Sequence, residues 1–238
     1  MSDKVYILDI GNTNTRCSLY DGGKFIEIFR KRTRDIYADD IPYGLPIAAA
    51  SVVPWAKDKL KRDDIFYVSN QCNLGIDLSL VDSDKLGPDR IANLAALKAL
   101  SALPAAVIDV GTAITLEALD EKGVFVGGII APGRELQRKA LGSYTAALPY
   151  IPVSGGKTYK SFGRDTEDSI ILGTDYGVIG AVKEFMSVTR REMKTDKVSF
   201  LVAGGDAAIL AKNIPELKVV PKEFTLIGVL EIWKINKQ

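Results

Sequence analysis

One short pattern occurs twice in this chain, about one hundred residues apart, and it restricts the fold more than any other feature. Residues 6–29 read YILDIGNTNTRCSLYDGGKFIEIF, and residues 106–130 read AVIDVGTAITLEALDEKGVFVGGII. In each copy an apolar strand ends in Asp-x-Gly followed by Asn or Thr, a second strand alternates, and an Asp…Gly turn leads into a third. Self-similarity of this kind marks a duplicated unit, so each copy predicts a β-hairpin extended by one more antiparallel strand. Helical spacing follows both copies, at Ile91–Leu100 after the first and at Arg134–Ala147 and Thr166–Lys194 after the second. Strands and helices mixed in this way predict an α/β protein with two lobes of similar topology, 1–104 and 105–238. The boundary is expected near Ala102–Ala106, where Pro104 ends the preceding helix.

The helices place particular side chains. Pro88 suits a first helical position, and Ile91, Leu94 and Ala95 share a face, which sets Asp89 and Arg90 in the exposed first turn. Ile170, Thr174, Gly177, Val178, Ala181, Val182 and Phe185 form a helical stripe that reads as core or subunit interface. Val198–Ala203 predicts an apolar strand running into Gly204-Gly205-Asp206 and a short helix.

Composition removes whole classes of function. The chain has 238 residues, 47% of them hydrophobic and 26% charged, as in an ordinary soluble globular protein. Its net charge of +1 gives no global field to recruit nucleic acid or an anionic membrane, so neither is expected as a partner. No signal-peptide pattern precedes the strand-like Val5–Leu8, and no apolar run is long enough to span a bilayer. Cys17 and Cys72 make no disulfide framework, and a cytoplasmic location is the expectation. Histidine is absent, which excludes Ser-His-Asp and Cys-His nucleophiles and histidine-ligated zinc. A general base must then be Asp, Glu, Lys or Tyr, and a metal must be a hard cation bound by oxygen.

The chemistry-bearing segments begin with Asp9-Ile10-Gly11-Asn12-Thr13. A tight turn at a strand end offers backbone N–H groups to an anion, Asn12, Thr13 and Thr15 add short donors, and Asp9 is placed to hold Mg²⁺ directly or through water. One copy alone reads more readily as an ordinary hairpin turn. The second copy, Asp109-Val110-Gly111-Thr112-Ala113, changes that weighting, because two phosphate-gripping turns are what a nucleoside triphosphate with its metal needs. Neither a P-loop nor a Gly-x-Gly-x-x-Gly dinucleotide or protein-kinase pattern is present.

Gly87-Pro88-Asp89-Arg90 sets a carboxylate beside a guanidinium at a helix start, a proton acceptor next to an anion clamp. The helix N-terminus is expected to keep Asp89 ionised. The plainer alternative is that Asp89 caps the helix and Arg90 pairs with it. Gly127–Gly133 reads as a strand-to-helix corner or a loop over a nucleotide, Thr166 as an N-cap or a substrate ligand, and Gly204-Gly205-Asp206 as a place for close approach of an adenine or ribose.

Taken in order, DIGNTNTR (9–16), SVVP (51–54), GPDR (87–90), DVGTAIT (109–115), GGIIAPG (127–133), TAALP (145–149) and GRDTEDSIILG (163–173) resemble the type III pantothenate kinases. The resemblance implies a duplicated actin-like, ribonuclease H-like fold of mixed sheets around a central nucleotide cleft, and a kinase that phosphorylates pantothenate with ATP. It implies that Asp9, Ile10, Gly11, Asn12, Thr13, Asn14, Thr15 and Arg16 form the first ATP phosphate turn, with Mg²⁺ on the phosphates. Gly87, Pro88, Asp89 and Arg90 would contact pantothenate, with Asp89 as general base; Thr166 would contact it too, and Thr112 would touch ATP. Asp109, which symmetry alone would make a second magnesium carboxylate, would instead ligate potassium or ammonium. A homodimer is implied as well. Two departures stand out: Leu80 lies near where members carry a pocket tyrosine, and Ala203 replaces the threonine that usually precedes the two glycines.

Overall fold

A computed structural model of the chain describes residues 4–153 and 161–237. The first copy of the repeat forms β1 (Val5–Ile10), β2 (Asn14–Asp21) and β3 (Lys24–Arg32), followed by β4 (Ile47–Ser51), α1 (Pro54–Leu60), β5 (Ile65–Tyr67) and α2 (Pro88–Leu100). The second forms β6 (Ala105–Val110), β7 (Ala113–Leu119) and β8 (Phe125–Pro132), then α3 (Arg134–Tyr144), α4 (Thr166–Met193), β9 (Ser199–Ala203), α5 (Ala207–Asn213), β10 (Lys218–Val219) and α6 (Phe224–Asn236). The two five-stranded sheets run β3-β2-β1-β4-β5 and β8-β7-β6-β9-β10, the same order in each. β1 pairs antiparallel with β2 and parallel with β4, and β6 pairs parallel with β9, so both sheets with their helices are the mixed α/β units that the duplication predicts.

The chain forms two compact units. One comprises Met1–Pro104, Leu119–Gly127 and Pro221–Gln238; the other comprises Ala105–Ala118 and Gly128–Val220. In the first, Leu8, Ile10, Cys17, Ile47, Ala49 and Leu60 belong to one buried apolar cluster. Burial pushes the Cys17 thiol up to about 12, which removes it as a nucleophile. Among the described residues no helix is long and apolar enough to cross a membrane.

Helix α6 packs against α2 in the first unit with almost no clearance. A Cβ on Gly228 would lie 1.7 Å from the carbonyl oxygen of Ala92 and 2.4 Å from its carbonyl carbon. These are backbone atoms of a helix and cannot swing aside. Gly228→Ala is therefore expected to cost about 3 kcal/mol or more, measured as a lowered urea midpoint with unchanged slope.

Candidate functional site

In the first unit the Asp9 turn is a tight hairpin. Asp9 faces Arg16 across β1 and β2, and the Gly11 amide donates to the Asn14 carbonyl at 3.0 Å. Asn12, Thr13 and Asn14 are exposed, while Ile10, Thr15 and Arg16 are buried. Thr15 is held inside by Thr33, a residue to which no sequence pattern pointed. The Thr33 hydroxyl donates to the Gly11 carbonyl at 2.6 Å, so the Thr15 hydroxyl, 3.1 Å from it, must be the donor between the two. The Thr33 amide also donates to the Thr13 carbonyl at 3.0 Å.

Arg16 is committed as firmly. Its Nη1 donates to the Lys222 carbonyl at 2.7 Å, its Nη2 lies 3.1 Å from Glu223 and its Nε 2.8 Å from Glu27. The structure thus presents the tip of the turn to solvent and uses Thr15 and Arg16 to hold it from behind.

The Gly87–Arg90 segment lies close by. Val52, whose amide donates to the Ile10 carbonyl at 3.1 Å, is also 4.0 Å from where a Gly87 Cβ would sit. That Cβ would be only 2.6 Å from Asp89 Oδ1, so a glycine is what leaves room for the carboxylate. Pro88 opens α2 as expected, and the cap position is Gly87, with no side-chain capping bond. Asp89 Oδ1 accepts the Arg90 amide at 2.8 Å, so it does cover one helix N–H, although from inside the helix. Burial acts against the helix N-terminus, which favours the charged form. Burial pushes the Asp89 carboxyl above the ordinary range, and the Arg90 amide and guanidinium only partly oppose it. A carboxylate so raised is a better proton acceptor.

In the second unit the Asp109 turn is gripped on two sides. Asp109 pairs with Ala203 at the ends of β6 and β9, which carries Gly204 over the turn. Gly204 has φ +91°, and a Cβ there would lie 2.4 Å from the Val110 carbonyl oxygen and 2.6 Å from Asp109 Oδ1. On the other side the Gly133 amide donates to the Thr112 carbonyl at 2.9 Å, and a Gly133 Cβ would fall 2.1 Å from the Gly111 oxygen. Gly111 and Thr112 are themselves exposed. Ala203, where the threonine departs, is buried at the end of β9, and Leu80 is 67% exposed.

The cap of α4 falls one residue earlier than the Thr166 reading had it. Asp165 is the N-cap, its side chain accepting the Asp168 amide at 2.7 Å, because an extended aspartate is a strong cap and Thr166 already has helical geometry. Thr166 is exposed and lines a cavity of about 1080 Å³ between α3 and α4, whose walls include Leu136, Leu141, Tyr144 and Ile170. In the α4 stripe Ile170, Thr174, Val178 and Val182 are buried and Gly177 is exposed.

Two further polar residues emerge only from the folded chain. Arg134 donates through Nε and Nη2 to the two oxygens of Asp206, at 2.9 and 2.6 Å, and through Nη1 to Asp175 at 3.1 Å. Arg138 shares Asp175 at 2.9 Å and reaches Thr174 and the Pro152 carbonyl.

Residues 5–188 match the family model described as type III pantothenate kinase. The type III pantothenate kinase of Agathobacter rectalis is 30% identical over 97% of this chain and 96% of that protein, and that of Dehalococcoides mccartyi is 28% identical over the whole of both. Among solved structures, a protein from Campylobacter jejuni described as a conserved Baf family transcriptional activator has a TM-score of 0.68 at 21% identity, covering 97% of this chain and 98% of that one. The activator of the 2-hydroxyisocaproyl-CoA dehydratase from Clostridium difficile, with bound ADPNP, has a TM-score of 0.51 at 11% identity, covering 96% and 93%. These likenesses, with the repeated sheet order, make the fold actin-like.

Proposed function

Because the chain belongs to the type III pantothenate kinase family, we propose that it transfers the γ-phosphate of ATP to the primary hydroxyl of pantothenate, giving 4′-phosphopantothenate at the first step of coenzyme A synthesis. The observation that carries the assignment of roles is Asp89: a carboxylate seated in the space left by Gly87, made more basic by burial, beside the Arg90 guanidinium. Asp89 accepts the hydroxyl proton as the oxygen attacks the γ-phosphorus and the bond from that phosphorus to ADP breaks. Gly87, Pro88, Arg90 and Thr166 position pantothenate. A loose transition state asks little of the base, so positioning and charge neutralisation supply most of the rate.

Asp9 to Arg16 and Thr112 serve the nucleotide. Within the first turn, the exposed Asn12, Thr13 and Asn14 are the groups that reach phosphate, and Ile10, Thr15 and Arg16 fix the turn's shape. Mg²⁺ on the phosphates and potassium or ammonium at Asp109 would neutralise charge that builds up in transfer. The donor sets suit hard cations. Asp9 lies one residue before the end of β1, and the cradle under Gly204 leaves the Asp109 carboxylate beside the Val110 carbonyl. Among the described residues no three Cys, Asp or Glu side chains converge, so a divalent ion would take most of its ligands from phosphate and water. A lobe boundary near residue 104, a cytoplasmic location and a homodimer belong to the same reading. The dimer is supported by the exposed Leu136 and Tyr144 on the cavity wall, 42% and 88% accessible.

An assay of ADP release with ATP, Mg²⁺ and pantothenate, run with and without potassium, tests this reading. Pantothenate-dependent ADP that rises with potassium is the expected result. No pantothenate-dependent ADP under either condition refutes it.

A further inference from the structure

Arg134 and Asp206 stand beside the two glycine segments that grip the Asp109 turn. Arg134 follows Gly133, whose amide holds the Thr112 carbonyl. Asp206 follows Gly204-Gly205, and its own amide donates to the Val110 carbonyl at 3.2 Å. The turn is therefore held by one backbone bond from each flank, and the bidentate Arg134–Asp206 pair ties the flanks together. Asp206 occupies the N-cap position of α5 yet makes no side-chain capping bond, so its carboxylate is spent on Arg134 instead of on its own helix.

Burial of this pair is hard to account for as stability alone. The Arg134 and Asp206 side chains are only 5% and 18% exposed, and buried ion pairs contribute little net stability against an apolar replacement of similar volume. What they do supply is fixed geometry. A planar fork with two parallel bonds sets both distance and angle between its partners.

We propose that Arg134 and Asp206 are positioning residues that clamp the Asp109–Thr112 turn in the shape that binds nucleotide. This rests on the reading of that turn as part of the ATP site. Neither side chain needs to touch the ligand; each acts through the glycine segment beside it. Arg138 supplies an internal comparison. It is as deeply buried and shares Asp175, but its remaining bonds go to Thr174 and Pro152, away from the glycines.

The test is calorimetric titration of ADP with Mg²⁺, in potassium buffer, into the full-length wild type and the variants Asp206→Asn, Arg134→Lys and Arg138→Lys. Thermal unfolding and pantothenate affinity are measured on the same samples. Asp206→Asn and Arg134→Lys are expected to weaken ADP about tenfold while pantothenate affinity stays within about twofold, the cost of losing part of a charged, preorganised contact. Arg138→Lys should bind ADP within about twofold of wild type at a similar loss of Tm. ADP affinity within twofold in both Asp206→Asn and Arg134→Lys overturns the proposal, as does an equal loss in Arg138→Lys. Failure of both variants to fold also overturns it, because the pair would then be a support of the fold itself. If the wild type binds no ADP, the reading of the turn as a nucleotide site fails before the clamp is reached.

Discussion

Asp89→Asn is expected to lower turnover with pantothenate by about a hundredfold or more, the low end of the range for general-base removal, and at the same time to stabilise the protein at neutral pH. The loss of turnover follows from the proposed base role, and the gain in stability from the raised affinity of the buried carboxyl for a proton. The folded protein holds that proton to a higher pH than the unfolded chain does. The stability that this one carboxyl contributes is therefore full below the ordinary carboxylate value of 3.8 and is progressively lost as pH rises through its folded-state value. Asparagine cannot ionise and escapes this loss. Its advantage in Tm should be full at neutral pH and should vanish as pH falls below the ordinary value. The acid limb of kcat/KM in the wild type should likewise lie above that value, since the base must be ionised to act. A capping role alone predicts the reverse, a loss of about 1 kcal/mol on substitution and largely intact turnover.

Arg16→Met is the second large expectation, and it concerns stability before catalysis. The Arg16 side chain is 9% exposed and ties the β2–β3 hairpin, through Glu27, to the start of α6, through Lys222 and Glu223. Methionine fills much of the space but leaves Glu223, itself 17% exposed, with only the more distant Lys222 ammonium, 3.7 Å away, as an ionic partner. Breaking such a pair by removing one member costs about 3 kcal/mol, read as a lower denaturant midpoint. An Arg16 whose main business was a bound phosphate would give the opposite pattern, with near-normal stability in the absence of ligand and a selective loss of nucleotide affinity.

Arg16 also shows what could be read from the sequence and what could not. The hairpins, the start of α2 at Pro88, the long α4 and the strand before Gly204 were all legible, because each depends on periodicity or turn chemistry within a few residues. The places of the candidate segments in the fold were legible too, since Asp-x-Gly near a strand end and Gly-x-Asp-Arg at a helix start are local patterns. Their surroundings were not. Arg16 finds Glu223 207 residues away, and Arg134 finds Asp206 72 residues away. No local rule announces such a partner, and an arginine next to a phosphate-type turn reads as a ligand until its own hydrogen bonds are seen. The same holds for Thr33, which orders the first turn from the far end of β3.

The raised basicity of Asp89 was hidden from the sequence for a related reason. The helix N-terminus is visible in sequence and favours the charged form by a modest amount. The burial that opposes it comes from the fold, and burial is the larger effect here.

One measurement bears most directly on the central claim. Wild type and Asp89→Asn are each loaded with ATP and Mg²⁺ in excess over pantothenate, and product is identified by phosphorus NMR over a single turnover. The account predicts a new phosphate monoester on the pantothenate hydroxyl in the wild type. In Asp89→Asn, folded and binding nucleotide as tightly, it predicts a rate about one hundredth of that or less. Phosphopantothenate formed by Asp89→Asn at close to the wild-type rate would contradict it.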